Sequence, residues 1–94
     1  MSSNHTLVLY RQVRDYISAL PPDTKKAFNR ELKKLAEGSG DTHPLKDNLE
    51  GFHRLRIGSH RIIYEHAAGQ AIHCAYAGPR ATVYQTFTPA PTTT

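Results

Sequence analysis

One cysteine, no tryptophan and no long apolar run mark this 94-residue sequence. A lone Cys74 excludes an internal disulfide and a zinc site built from several cysteines. Set in the apolar run Ala71–Tyr76, it reads as a buried, inert thiol. No stretch approaches the ~20 apolar residues that cross a bilayer, and the first residues lack the apolar core of a secretory signal. The expected location is therefore the cytoplasm, with no membrane partner. Internal repeats, a Walker motif, a zinc signature and a glycine-rich phosphate loop are all missing. No histidine pair has a carboxylate at ligand spacing, so neither a metal nor a cofactor is expected.

Acidic residues are scarce where the charge matters. Residues 1–50 hold eight Lys/Arg and seven Asp/Glu, but beyond them Glu65 stands alone against four arginines. That second half has no lysine. Arginine is the side chain that grips phosphate in two-pronged fashion and stacks on bases. A sequence pI near 9.5 fits nucleic acid, an acidic protein or an anionic surface as partner.

The informative stretch is Gly51-Phe52-His53-Arg54-Leu55-Arg56-Ile57-Gly58-Ser59-His60-Arg61-Ile62-Ile63-Tyr64-Glu65. Two runs rich in β-branched and aromatic residues flank Gly58-Ser59, a pair suited to a type II′ hairpin turn. That turn sets Ile57 opposite His60, Arg56 opposite Arg61, Leu55 opposite Ile62 and Arg54 opposite Ile63. Opposed residues share a face, so Arg54, Arg56 and Arg61 cluster on one side. Leu55, Ile57, Ile62 and Tyr64 take the other, and strand parity sends His53 and His60 with them. Facing like charges destabilise a sheet, a cost that an anionic partner such as phosphate would offset.

Upstream, Thr6–Tyr10 is a short β-like run after a polar, loose start at Met1–His5. Val13, Ile17 and Leu20 then recur at helical spacing until Pro21-Pro22. Asp23 is a candidate N-cap for a second helix striped by Phe28, Leu32 and Leu35, with Gly38 suited to its C′ position. Lys25, Lys26, Arg30, Lys33 and Lys34 line the rest of it as a basic, solvated face. His43–Lys46 leads to the hairpin through an irregular or β-bridge segment, and Ala71–Tyr76 is a further strand broken by Gly78-Pro79. Pro79 then suits N1 of a short final helix with Arg80 and Tyr84 on one face; a β segment through Thr82–Tyr84 is the alternative. The order β-α-α-β-β-β predicts an α+β domain over residues 1–87, its small, mostly antiparallel sheet backed by a helical hairpin and open on the arginine side. Residues 88–94 read as a disordered polar tail.

With the hairpin in place, the chain resembles the RelE/ParE superfamily of bacterial toxin–antitoxin toxins, from about Leu7 to Phe87. Pro44-Leu45-Lys46 followed by Gly51–Tyr64 is similar to the family's "PLKG…YRLRxGxYRIIY" pattern, and Arg80 with Val83-Tyr84 to its "R…VY" ending. In the RelE branch the resemblance implies a ribosome-dependent endoribonuclease that cuts mRNA without a metal, the RNA's own 2′-OH attacking the adjacent phosphate. That chemistry needs a base, cations at the phosphate and an acid for the leaving oxygen. Carried over by position, Arg61, Arg56 and Tyr84 are the catalytic candidates, and Arg54, Arg56 and Arg80 bind RNA phosphate. The family's lysines are arginines here, which cannot serve as base, and another family arginine falls on Gly78. His53 and His60 remain as candidate bases. The implied partners are a cognate, acidic antitoxin and mRNA on the ribosome. A ParE-like inhibitor of DNA gyrase or topoisomerase, and a weakly toxic homologue that only binds antitoxin, are the alternatives.

Overall fold

A computed structural model describes residues 4–89. The chain enters as β1 (Thr6–Leu9), turns into α1 (Arg11–Ser18) and, after Ala19-Leu20-Pro21, runs through α2 (Pro22–Ala36). A three-residue β2 (Thr42–Pro44) and a 3₁₀ turn (Asp47–Leu49) lead to the hairpin of β3 (His53–Ile57) and β4 (His60–Ala67). β5 (Ala71–Pro79) and a single-turn α3 (Val83–Thr86) complete the α+β fold. The strands form one sheet in the order β1-β5-β4-β3-β2. β1 lies parallel to β5, and the other neighbours are antiparallel.

The hairpin has the register its turn dictates, with Ile57↔His60, Arg56↔Arg61, Leu55↔Ile62 and Arg54↔Ile63 paired. Gly58 takes φ +57° and Ser59 has no positive φ, the arrangement a type II′ turn requires. The apolar residues of this register meet the helices. Val13 of α1 and Phe28, Leu32 and Leu35 of α2 pack on Leu55, Ile57, Ile62, Tyr64, Ile72 and Cys74 as one buried cluster. Burial pushes the Cys74 thiol up to about 12, which leaves it an unreactive apolar group at neutral pH.

Two local devices shape the sheet. Ile63 pairs with Tyr76 but Tyr64 pairs with Cys74, so Ala75 is an extra residue in β5. The bulge puts Cys74 under the helices and Tyr76 on the opposite face, although the two are only two residues apart. Beyond the end of β1, Gln12 of α1 takes over the edge of β5. Its amide nitrogen donates to the Ala77 carbonyl at 2.7 Å and its amide oxygen accepts from the Ala77 N–H at 2.8 Å. The side chain thus supplies the two ladder bonds that a longer β1 would have made.

Several local expectations need correction. Asp23 lies inside the first turn of α2, not at its cap, because Pro22 already occupies the start and Pro21 the cap position. Leu20 lies beyond α1 yet still packs against the core. At the other end of α2, Gly38 does occupy C′, with φ +87°. Its N–H reaches the Leu35 carbonyl and that of Ser39 the Lys34 carbonyl, the bond pair of a Schellman cap. His5 is tied to α2 through its N–H and the Ala36 carbonyl at 2.7 Å. Gly78-Pro79 does not break the last strand. His60↔Pro79 pairing persists and the Arg80 N–H donates to the Ser59 carbonyl at 2.9 Å, so helix starts only at Val83. Arg80 is consequently outside the final helix. Met1–Ser3 and residues 90–94, which carry most of the expected tail, lie outside the described residues.

Candidate functional site

The sheet face away from α1 and α2 carries the basic residues, and cross-strand register fixes its layout. Along β4 it presents Arg61, Ile63 and Glu65; along β3, Arg56 and Arg54; along β5, Gly78, Tyr76 and His73. The β2 segment adds to this face at the sheet's edge. His43 is paired with Arg54, and the Arg56 N–H donates to the Asp41 carbonyl, which makes Asp41 the partner of Arg56. Asp41, His43, Arg54, Arg56 and Arg61 thus form a continuous polar field.

Each arginine in that field is already held. Arg54 Nη1 lies 3.4 Å from Asp41 Oδ1, and Arg56 Nη1 lies 3.7 Å from Asp41 Oδ2. Arg54 is the more enclosed, its side chain 22% exposed against 55% for Arg56. Arg61 folds back on the turn, where Nη1 donates to the Gly58 carbonyl at 2.9 Å and the His60 carbonyl at 2.8 Å. The repulsion between paired arginines is therefore relieved partly within the chain, by one carboxylate and two carbonyls, and not by a partner alone. Exposed ion pairs of this kind are worth only about 0.2–1 kcal/mol. A phosphate bearing more charge can displace them.

The lower part of the same face is roofed. Ile63 and Val83 are buried there, outside the main core cluster, which also leaves out the buried Leu49. Val83 sits on Gly78, where a Cβ would stand 3.2 Å from Val83 Cγ2. Because Gly78 is the cross-strand partner of Arg61, this contact sets α3, and with it the exposed Tyr84, beside the arginine row. Phe87 follows, with its ring 5.2 Å from Phe52 and 5.5 Å from Tyr76. Tyr10, Phe52, Glu65, Tyr76 and Phe87 line a cleft of about 440 Å³ next to it. Thr88 and Pro89 also line this cleft.

The structure brings Arg54, Arg56 and Arg61 together and places Tyr84 on the adjoining α3. It sets the backbone of Arg80 against the hairpin turn. It does not bring His53 or His60 to them. His60 Nδ1 is 2.7 Å from Tyr16 Oη, and its ring packs 5.4 Å from Phe28, so it faces the helices. Burial raises the pKa of that Tyr16 hydroxyl. His53 stacks on Tyr64 at 5.3 Å on the same side, and His66 meets it edge-on at 5.2 Å. Its Nδ1 is buried without a hydrogen-bond partner among the described residues. Burial lowers the pKa of His53, and the neighbouring His66 adds to the effect.

No protein-family model and no curated protein matches this chain. Solved structures do. The toxin–antitoxin complex RelBE2 from Mycobacterium tuberculosis aligns at a TM-score of 0.71 and 21% identity, over 82% of this chain and 99% of that one. A YoeB/ParE toxin from Agrobacterium tumefaciens aligns at 0.64 and 21%, over 79% and 96%. The YoeB–YefM complex from Staphylococcus aureus aligns at 0.61 and 26%, over 78% and 93%. The chain has the RelE/ParE-like toxin fold. Within that fold, sequence reasoning overlooked Asp41 and His43. The available signal was the stretch Asp41-Thr42-His43-Pro44 ahead of the hairpin, whose alternation puts Asp41 and His43 on one side once it is read as an edge strand.

Proposed function

We propose that this chain is the toxin of a type II toxin–antitoxin system and that it cuts mRNA on the ribosome. The observation that carries this reading is the row Arg54, Arg56 and Arg61 on the open face of a fold shared with solved toxins. Arg54 and Arg56 would hold phosphates flanking the scissile bond. Arg61, released from the turn carbonyls, would neutralise the charge that builds on the pentacovalent phosphorus, where fixed cations lower the barrier most. Tyr84, beside that row on α3, would stack on a base or deliver a proton to the leaving 5′-oxygen. Arg80 would add a phosphate contact at the rim. The work is done in the cytoplasm, on translating ribosomes, without a metal.

The partner is a cognate antitoxin, as in the RelBE2 and YoeB–YefM complexes. Acidic segments of it would compete for the arginine row. Val8 on the edge strand β1 and Tyr10 just beyond it, both exposed, offer an apolar border for a segment that orders on binding.

Primer extension on a translated mRNA tests the reading, with the same mRNA lacking ribosomes as control. New 5′ ends are expected only during translation and only with intact Arg61; the Arg61→Ala protein should keep its thermal unfolding midpoint within a few degrees. Full cleavage by folded Arg61→Ala removes that residue's role. Intact mRNA together with growth arrest, and loss of supercoiling by purified gyrase or topoisomerase, would instead establish the ParE-like reading, which the absence of lysine from this face favours. Growth without arrest would leave an antitoxin-binding homologue.

A further inference from the structure

Two acids stand on the open face, in different circumstances. Asp41 has one carboxylate oxygen against Arg54 and the other against Arg56. Glu65 has no ion pair and no side-chain hydrogen bond among the described residues. It is half-buried in the wall of the cleft of about 440 Å³, which Tyr10, Phe52, Tyr76 and Phe87 also line. A carboxylate in such a wall gives up part of its hydration and gains no donor from the chain in exchange. His73, across the strand pair from Glu65, is turned to Tyr10 instead, its Nδ1 3.2 Å from that hydroxyl. An aromatic cleft with one unused acceptor at its edge suits a flat ligand that carries an N–H donor.

The cleft begins where the arginine row ends. Phe52 is two residues before Arg54, and the Leu45 N–H donates to the Phe52 carbonyl at 2.9 Å. The pairing of β2 with β3 thus continues one residue back, and Phe52 shares the face of Arg54. Two residues of strand cover about 7 Å, a span comparable to that between a nucleotide's phosphate and its base. On β4 the matching steps run Arg61, Ile63, Glu65. The rings are fixed from the other side. The Ala75 bulge turns Tyr76 into the cleft. The Phe87 N–H donates to the Val83 carbonyl at 3.0 Å, which ties that ring to the Val83–Gly78 contact beside Arg61. Phe52, Tyr76 and Phe87 are each half-buried, with Phe87 in contact with both others, so part of every ring is open to a ligand.

We propose that this cleft receives the base of the nucleotide whose phosphate rests on Arg54, and that Glu65 selects bases with an exocyclic amino group over uracil. The inference rests on the nuclease reading above. The rings supply stacking, which every base accepts and which therefore confers little choice. The choice comes from the carboxylate, an acceptor at both oxygens. Adenine, cytosine and guanine each carry an amino group that can donate to it, as cytosine N4 does to acidic side chains in duplex recognition. Uracil has only carbonyl oxygens in those places, and a carboxylate repels them. Seating a base here fixes which phosphodiester reaches Arg61, so the cleft sets where the strand is cut.

Fluorescence polarisation with 2′-O-methylated oligomers of cytidine and of uridine tests this. The two pyrimidines match in size, uniform sequences remove any question of register, and the blocked 2′-oxygen prevents cleavage. Wild-type protein should bind the cytidine oligomer about fivefold or more tighter, the low end of what a good base contact brings. Glu65→Gln offers a donor as well as an acceptor, so the ratio should fall to about one, even though loss of a negative charge raises both affinities. Phe87→Ala should weaken both oligomers by about fivefold or more, as removal of a stacking ring does. Thermal unfolding checks each fold, and the Glu65→Gln ratio decides alone if Phe87→Ala is unstable. A ratio that is absent in the wild type, or unchanged by Glu65→Gln, overturns the proposal, while translation-dependent cleavage in the primer-extension assay keeps the nuclease reading. Wild-type protein that leaves translated mRNA whole yet shows the ratio removes that reading and keeps the cleft as a base-binding site. Variants that retain RNA affinity but release the cognate antitoxin overturn the proposal in favour of a peptide occupant.

Discussion

Arg56 and Arg61 are cross-strand partners on the open face, and each is drawn away from the other: Arg56 towards Asp41, Arg61 towards the carbonyls of its own turn. On the proposed function the pair would act as a phosphate clamp, and here weak internal partners hold both guanidiniums. Asp41 therefore competes with any incoming anion. Asp41→Asn should bind a short uncleavable RNA more tightly at low salt, by up to about fivefold, since an exposed ion pair contributes about 0.2–1 kcal/mol. The gain should shrink at high salt as screening removes the difference. Fluorescence polarisation across a salt series measures this, and equal affinities at low salt would refute the competition.

The Gly78–Val83 contact makes a second prediction, one that runs against the family pattern. The resemblance places a family arginine at Gly78, so Gly78→Arg looks like a simple way to add a phosphate contact. The space is taken. Any Cβ at 78 meets Val83 Cγ2 at 3.2 Å, and Val83 is fully buried over the sheet. Gly78→Arg should therefore lift α3, destabilise the domain by about 1–3 kcal/mol as overpacked sites do, and lower cleavage by displacing Tyr84. Urea unfolding beside the primer-extension assay gives both numbers. An arginine there that leaves stability intact and raises activity would show that α3 moves aside freely.

The hairpin was legible in the sequence because a two-residue turn fixes register, and register fixes faces. From Gly58-Ser59 alone the three arginines fall together and Leu55, Ile57 and Ile62 fall to the core. What escaped depends on contacts distant in the chain. The Ala75 bulge leaves no mark in a stretch that reads as uninterrupted strand, yet it decides that Tyr76 faces the cleft and Cys74 the helices. Gln12 gives no hint that it will cap the edge of β5. β2 is three residues long and forms as the partner of β3, so local alternation could set Asp41 and His43 on a common side but not say which face of the sheet that side joins. The final helix starts later than Pro79 suggests because β4 pairs with β5 out to Pro79 and the Arg80 N–H bonds the Ser59 carbonyl of the turn, a hold that a four-residue helix cannot match.

His53, excluded from the arginine face, has a different consequence. Its ring lies between Tyr64 and His66, with His5 edge-on to His66 at 5.9 Å, and its Nδ1 has no partner among the described residues. Burial foremost, and His66 next, hold its pKa below the ordinary 6.5. The unfolded chain therefore binds a proton at His53 before the folded one does. Stability from this group is fully present above about pH 6.5 and is lost as pH falls towards and through the lowered folded value. Replacement by phenylalanine keeps a ring against Tyr64 and removes the proton site. Urea unfolding at intervals from pH 7.5 to 5 should show the wild-type protein losing stability on the acid side faster than His53→Phe, the two curves separating below pH 6.5. Parallel curves would mean that water reaches the ring in solution and that its burial carries no proton linkage.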